Sequence, residues 1–213
     1  MASPVAFGYK MAWLAIRTDD PTSVVEALGL EDIDTSPWPE AIESIYTRDA
    51  IAARPVFVTP PLHGWILVVS PGLFDEASDA EPERLATYVA ETARLFGTEV
   101  QFFATHRVVE GHAWARADHG GVSRAFYYLG EIGELLVDEG EPTPIEGSRD
   151  LDLPDEEAVM AVAGAWSVDP TRLEEQHPEV RDGWLGRFPA PSMGPPEDSR
   201  STGAADRPWW KFW

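Results

Sequence analysis

Large apolar side chains are bunched along this chain, and the bunches have two different periods. Tyr9 to Arg17 (YKMAWLAIR) is a nearly continuous apolar run, the pattern of a strand covered on both faces, and it predicts a strand central in a sheet. Asp20-Pro21-Thr22-Ser23 then sets an N-cap acid before a proline at the first helical position. With Val24, Val25, Ala27 and Leu28 it predicts a short helix stopped by Gly29. Glu31 to Ile45 mixes polar residues with Pro37 and Pro39 around Trp38 and is expected to be an irregular connection. Tyr46 to Ala52, with Val58 as its far limit, and Gly64 to Ser70 (GWILVVS) predict two strands. The turn Thr59-Pro60-Pro61-Leu62-His63 joins them, since its prolines cannot donate to a ladder.

In the second half, Pro82 to Phe96 carries Leu85, Tyr88, Val89, Thr92 and Phe96 at helical spacing and stops at Gly97. Val100 to Val109, His112 to Ala117, Val122 to Leu129 and Glu134 to Asp138 follow as strands. Their connections are too short for anything but antiparallel neighbours, so they form a meander. Pro154 to Trp166 predicts another helix, with Asp155, Glu156 and Glu157 in its first turn and Val159, Val162, Ala163 and Trp166 facing inward. Asp169-Pro170 starts a short helix through Leu173. This order predicts an α+β fold, mainly an antiparallel sheet with a C-terminal meander, packed by about three helices. Residues 1–186 are expected to form a single domain. Residues 187–213 are Pro/Gly/Ser-rich and read as a flexible tail ending in Trp209-Trp210-Lys211-Phe212-Trp213.

Composition narrows the function classes. Charged residues make up 25% and apolar residues 44%, the usage of a folded chain. No apolar run approaches the roughly 20 residues that span a bilayer, because Gly64 to Leu73 is interrupted by Ser70-Pro71-Gly72, so no membrane role is expected. Met1 to Val5 lacks the basic and apolar segments of a secretory signal, and the expected location is cytoplasmic. The absence of cysteine removes disulfides, thiolate catalysis and cysteine-based metal sites. A formal charge of −21, from 37 acidic against 16 basic residues, opposes direct nucleic-acid binding. The same charge favours a cationic partner.

Candidate chemistry is sparse. No Gly-rich phosphate loop and no G-x-S-x-G elbow occurs, and Ser123 sits in mid-strand, so no catalytic residue and no cofactor is assigned. His106, His112 and His119, with Asp118 or Glu110, raise a His-carboxylate metal cluster. His106 and His112 flank one hairpin whereas His119 sits in the next turn, at the opposite end of the sheet, and no metal is expected. Trp114 and Arg116, on the face of His112, and Arg124 with Phe126 and Tyr128 across the hairpin interleave aromatic and guanidinium groups. Trp114, Arg116, Arg124 and Tyr128 are therefore candidates for binding a small anionic ligand, unless the arginines are a structural layer paired with acids. Between Glu131 and Glu157 stand eleven acids, among them Glu146, Asp150 and Asp152, against Arg149 alone. That density suits either a solvated loop or an electronegative patch for a basic partner.

MAWLAIR, DDPTSVVEALGL, GWILVVS and FFATHRVVEGHAWARADHGGVSRAFYYLG resemble, in order and type, uncharacterised actinobacterial-type α+β proteins and, more loosely, the small acidic immunity proteins encoded beside polymorphic toxins. The resemblance covers about residues 9–175 and carries no catalytic or binding residue; WWKFW lies outside it. With the dense charge and the absence of catalytic motifs, this layout leads to the expectation of a non-catalytic acidic protein-binding module, an immunity or inhibitor protein for a basic toxin. The partner-binding candidates are Glu131, Glu134, Asp138, Glu139 and Glu141 with Trp209, Trp210, Phe212 and Trp213. The alternatives are an enzyme or ligand sensor with a pocket on the sheet, and an adaptor recruited through WWKFW.

Overall fold

The run Met11–Ile16 (β1) is buried at all six positions and has four strands on either side of it. The computed structural model describes residues 3–47, 53–73, 82–148 and 153–189. Around β1 stand β2 (Glu31–Ser36), β3 (Pro55–Val58), β4 (Ile66–Ser70), β5 (Val100–His106), β6 (Gly111–Asp118), β7 (Gly121–Leu129), β8 (Glu134–Glu139) and β9 (Gly183–Arg187). The spatial order is β2-β9-β3-β4-β1-β5-β6-β7-β8, and every neighbouring pair is antiparallel. The expected meander is β5 to β8.

Among the described residues six helices accompany the sheet, rather than about three: α1 (Pro21–Ala27), α2 (Trp38–Ile45), α3 (Arg84–Phe96), α4 (Pro144–Gly147), α5 (Glu156–Trp166) and α6 (Leu173–Gln176). None of them is long and apolar enough to cross a membrane. Alternation along β1 divides the core into two layers. Ala12, Leu14 and Ile16 meet α1 and α3, while Met11, Trp13 and Ala15 meet α2 and α5. On the first face Ala113, Ala115 and Ala117 of β6 and Ala125 of β7 leave the sheet flat under α3, so the helix packs across the meander. The second face is aromatic, with Trp13 stacked on Phe103 at 5.3 Å and Trp114 on Phe126 at 4.3 Å between ring centroids.

Three local expectations are corrected. Residues 31–45 are not irregular: they form β2 and α2. The acids of β2 face outward on an edge strand and its partner β9 lies about 150 residues away in sequence, so no alternation marks it. In α2 the two prolines stand at the N-cap and in the first turn, where no intrahelical donor is lost. Trp38, Ala41, Ile42 and Ile45 then supply the buried stripe. The strand expected from Tyr46 begins only at Pro55, because Tyr46 caps α2; residues 48–52 lie outside those described. Finally, Arg187 does not open the tail: it ends β9, Phe188 beyond it is buried, and Arg54 Nη1 donates to the Pro189 carbonyl at 2.6 Å.

Strand β9 closes the sheet by entering between β2 and β3, and its glycines make that possible. A Cβ at Gly183 would collide with the Phe57 ring and lie 2.6 Å from the Val58 carbonyl oxygen, while one at Gly186 would run into Ile33. Gly183→Ala is therefore expected to lower stability by about 1 to 3 kcal/mol, the usual range for overpacking, read as a lower urea midpoint. Gly147→Ala, in a helix with open space around it, serves as the control that does not lower the midpoint.

Candidate functional site

Antiparallel register gathers several short segments at one end of the sheet. Met11 pairs with Thr105, Thr105 with His112, and His112 with Tyr128. The start of β1, the β5–β6 turn and the β7–β8 turn therefore lie side by side. Backbone bonds fasten the two turns: Gly130 N–H donates to the Glu110 carbonyl and Glu131 N–H to that of Val109, both at 3.0 Å. The Tyr46 hydroxyl donates to the Tyr9 carbonyl at 2.8 Å, which brings in the end of α2. Arg107 reaches the first turn of α5, where its Nε and Nη2 donate to Glu156 Oε2 at 3.2 and 2.9 Å.

These segments enclose a cavity of about 610 Å³, lined by Tyr9, Arg107, Glu110, His112, Tyr128, Leu153, Pro154, Asp155, Glu156 and Glu157. Four carboxylates stand against one guanidinium there. Exposed apolar side chains stand in the same segments: Tyr9, Tyr46, Val108, Ile132 and Leu153 are 43 to 71% exposed. They are five of the seven large hydrophobic side chains exposed among the described residues, with Leu135 on neighbouring β8 a sixth. Exposed apolar side chains gathered at one end of a sheet are more informative than ones scattered singly.

The histidines divide. His112 is buried and its Nδ1 lies 3.1 Å from Thr105 Oγ1. Burial holds its imidazole below the ordinary value, against the pull of Glu156, Asp155 and Glu110. His106, one residue out of step with Thr105, is also buried and also depressed, by burial first and then by Lys10. His119 is exposed in the β6–β7 turn at the far end of the sheet. Among the described residues no group of three or more histidines and acids is arranged to hold a metal ion. Elsewhere the His177 ring lies 4.3 Å from that of His63, tilted by 46°, and burial, then that neighbour, lowers its value.

A second polar centre is sealed inside. Glu146 is fully buried and Arg124 nearly so. Glu146 Oε1 accepts from Arg124 Nε at 2.7 Å and from Trp114 Nε1 at 2.8 Å, and Oε2 accepts from the Thr143 amide at 2.7 Å and its hydroxyl at 2.6 Å. Arg124 Nη1 reaches Asp138 Oδ1 at 2.5 Å and the Glu139 and Gly140 carbonyls at 3.1 Å each. Burial alone would raise the Glu146 carboxyl, but the hydrogen bonds from Thr143, then Trp114 and Arg124, outweigh it and hold the value below the ordinary one.

Of the residues considered for an anionic ligand, Trp114 and Arg124 are thus tied to Glu146, and Arg116 lies 5.0 Å over the Trp166 ring. Tyr128 alone borders the cavity, in register with His112 rather than with the arginines. Glu131, Glu134, Asp138, Glu139 and Glu141 are all exposed along β8 and its flanks, with Asp138 bound to Arg124. Glu146, counted with them in sequence, is not on the surface. Asp150, Asp152, Trp209, Trp210, Phe212 and Trp213 lie outside the described residues. Tyr9 and Leu153 emerge as site residues only from the fold, and Glu110, raised in sequence beside the histidines for a metal, lines the cavity instead. Their one signal in sequence is apolar side chains such as Val108 and Ile132 placed in tight turns.

Glu146→Ala should cost about 3 to 5 kcal/mol in urea unfolding because it strands Arg124 inside the protein. Glu146→Gln, which keeps an acceptor for Trp114, should lose less. As pH falls through the ordinary histidine value, the unfolded chain binds protons that His106, His112 and His177 refuse, so folding weakens toward acid. Glu146 acts in the same direction lower down: its contribution is present above the ordinary carboxylate value and lost beneath it. The urea midpoint should drop between about pH 7.5 and about pH 5.5; a flat profile there would contradict the assignment of neutral buried histidines.

No family model matches the chain, and no curated protein or solved structure matches it either.

Proposed function

We propose that this protein is a non-catalytic binding module for a basic protein, acting as an inhibitor or immunity-type partner, and that the partner docks at the acid-lined end of the sheet. The observation that carries the proposal is the coincidence there of exposed apolar side chains, Tyr9, Tyr46, Val108, Ile132 and Leu153, with the carboxylates of Glu110, Asp155, Glu156 and Glu157 around one cavity. An apolar centre with a charged rim is the anatomy of a protein interface. A net negative field steers and orients a cationic partner.

The exposed acids of β8 and its flanks, Glu131, Glu134, Glu139 and Glu141, extend the same field outward from the β7–β8 turn. A free small cation would use the cavity but gain nothing from the apolar rim, which favours a macromolecular partner. The residues of the rim sit in turns and at helix ends rather than in the two core layers, so they can be changed without dismantling the fold.

Affinity capture from the native host with the full chain tests this directly. A partner of high isoelectric point should be retained at low salt and released as salt rises, since the pairing is largely charge-driven. The variant Glu110→Lys/Glu157→Lys/Ile132→Ser should fold normally and lose that partner. Retention that ignores salt, or survives the triple variant, would sink the docking assignment.

A further inference from the structure

The cavity already displays how it holds one cation. Arg107 places two donors on Glu156 Oε2 while its guanidinium carbon stands 5.7 Å from the centre of the Tyr9 ring. A carboxylate at the edge and an aromatic face beneath are the two contacts that suit a planar guanidinium. The rest of the lining repeats those elements without an occupant. Tyr128 supplies a second ring, and Glu110 and Glu157 supply carboxylates that make no ion pair with a described residue. Between them lies His112, 3% exposed, whose Nδ1 is taken by Thr105 and whose Nε2 has no partner among the described residues. When Nδ1–H donates to the Thr105 hydroxyl, Nε2 is left as an acceptor bordering the cavity.

Building on the docking reading above, we propose that this cavity is the socket for an arginine side chain of the basic partner, received between the Tyr128 ring and the carboxylates of Glu110 and Glu157, alongside Arg107. Arginine rather than lysine follows from the geometry. A flat, weakly hydrated guanidinium can lie on a ring and fork to two acids at once, whereas an ammonium is a strongly hydrated point charge. Arg107 does not block a second guanidinium, because three carboxylates of the lining remain after its pairing with Glu156. The volume of about 610 Å³ exceeds one side chain and leaves room for the backbone that delivers it.

The test uses the full chain and three blocked tripeptides, acetyl-Gly-Xaa-Gly-amide with arginine, lysine or citrulline at the centre, titrated by NMR on the His112 imidazole and the Tyr128 ring. The arginine peptide should move both sets of resonances saturably and bind roughly tenfold tighter than the lysine peptide. The citrulline peptide, uncharged but nearly the same shape, should leave them in place. Glu110→Gln/Glu157→Gln, with an unchanged thermal midpoint, should weaken the arginine peptide by about tenfold or more. Equal binding of arginine and lysine, no saturation, or full affinity in the double variant would overturn the socket. If the peptide fails while a basic partner is still captured and lost on charge reversal, the socket falls and the docking reading stands. If the peptide binds and no salt-sensitive partner exists, the docking reading falls instead, and the socket with it as a partner's site.

Discussion

Seven strands each place one side chain in a single row across the second face of the sheet: Leu185, Phe57, Val69, Trp13, Phe103, Trp114 and Phe126, each opposite the next. Six of them are fully or almost fully buried, and Leu185 packs against the same cluster. A slip of one residue in any pairing would turn that strand's aromatic or aliphatic member to the wrong face, so the row fixes the register of most of the sheet. At its far end Phe126 stands opposite Asp138, and Arg124 lies 5.5 Å over the Phe126 ring while binding Asp138 and Glu146. The buried ion pair therefore closes the row where aromatic packing stops, and it draws α4 onto the meander. Its value lies more in this specificity than in net energy, since buried pairs seldom outdo well-packed apolar groups.

The candidate site is a consequence of the same register. Two residues along each strand from the aromatic row, on the same face, stand Met11, Thr105, His112 and Tyr128, again in mutual opposition. This second row is where the packing of α5 gives way to its N-terminal turn and the cavity opens. Its polar members, Thr105 and His112, bond to each other at 3.1 Å. Tyr128 then presents its ring to the opening, and the turns that follow carry Arg107, Glu110 and Glu131 into place.

The acidity of the chain has more than one origin. Both edge strands are acidic, with Glu31, Asp32 and Asp34 on β2 and Glu134, Asp138 and Glu139 on β8. Charges there deter a second sheet from adding to the open edge. Arg187 answers two of the β2 acids, Glu31 at 3.1 Å and Asp32 at 2.5 Å, so that edge is partly neutralised. The acids of the cavity differ in sharing its lining with the exposed Tyr9 and Leu153 and a single guanidinium, and the proposed docking reading rests on that difference.

Sequence showed the elements whose signal is local. The central position of β1 followed from its unbroken apolar run, α1 from Asp20 ahead of Pro21, α3 from its stripe and Gly97, and the meander from turns too short to cross over. It hid whatever depends on a distant partner. Strands β2 and β9 stabilise each other across most of the chain and carry no alternation of their own, and Glu146 looked like one acid among eleven until its three partners converged on it. The site was hidden for the same reason, being assembled from the ends of elements rather than their interiors. Its turns are pinned by the bonds from Gly130 to Glu110 and from Glu131 to Val109, and Arg107 is held by Glu156. A partner of the kind proposed would then lose less to ordering on association, and the charge of the lining would bear on which side chains it admits.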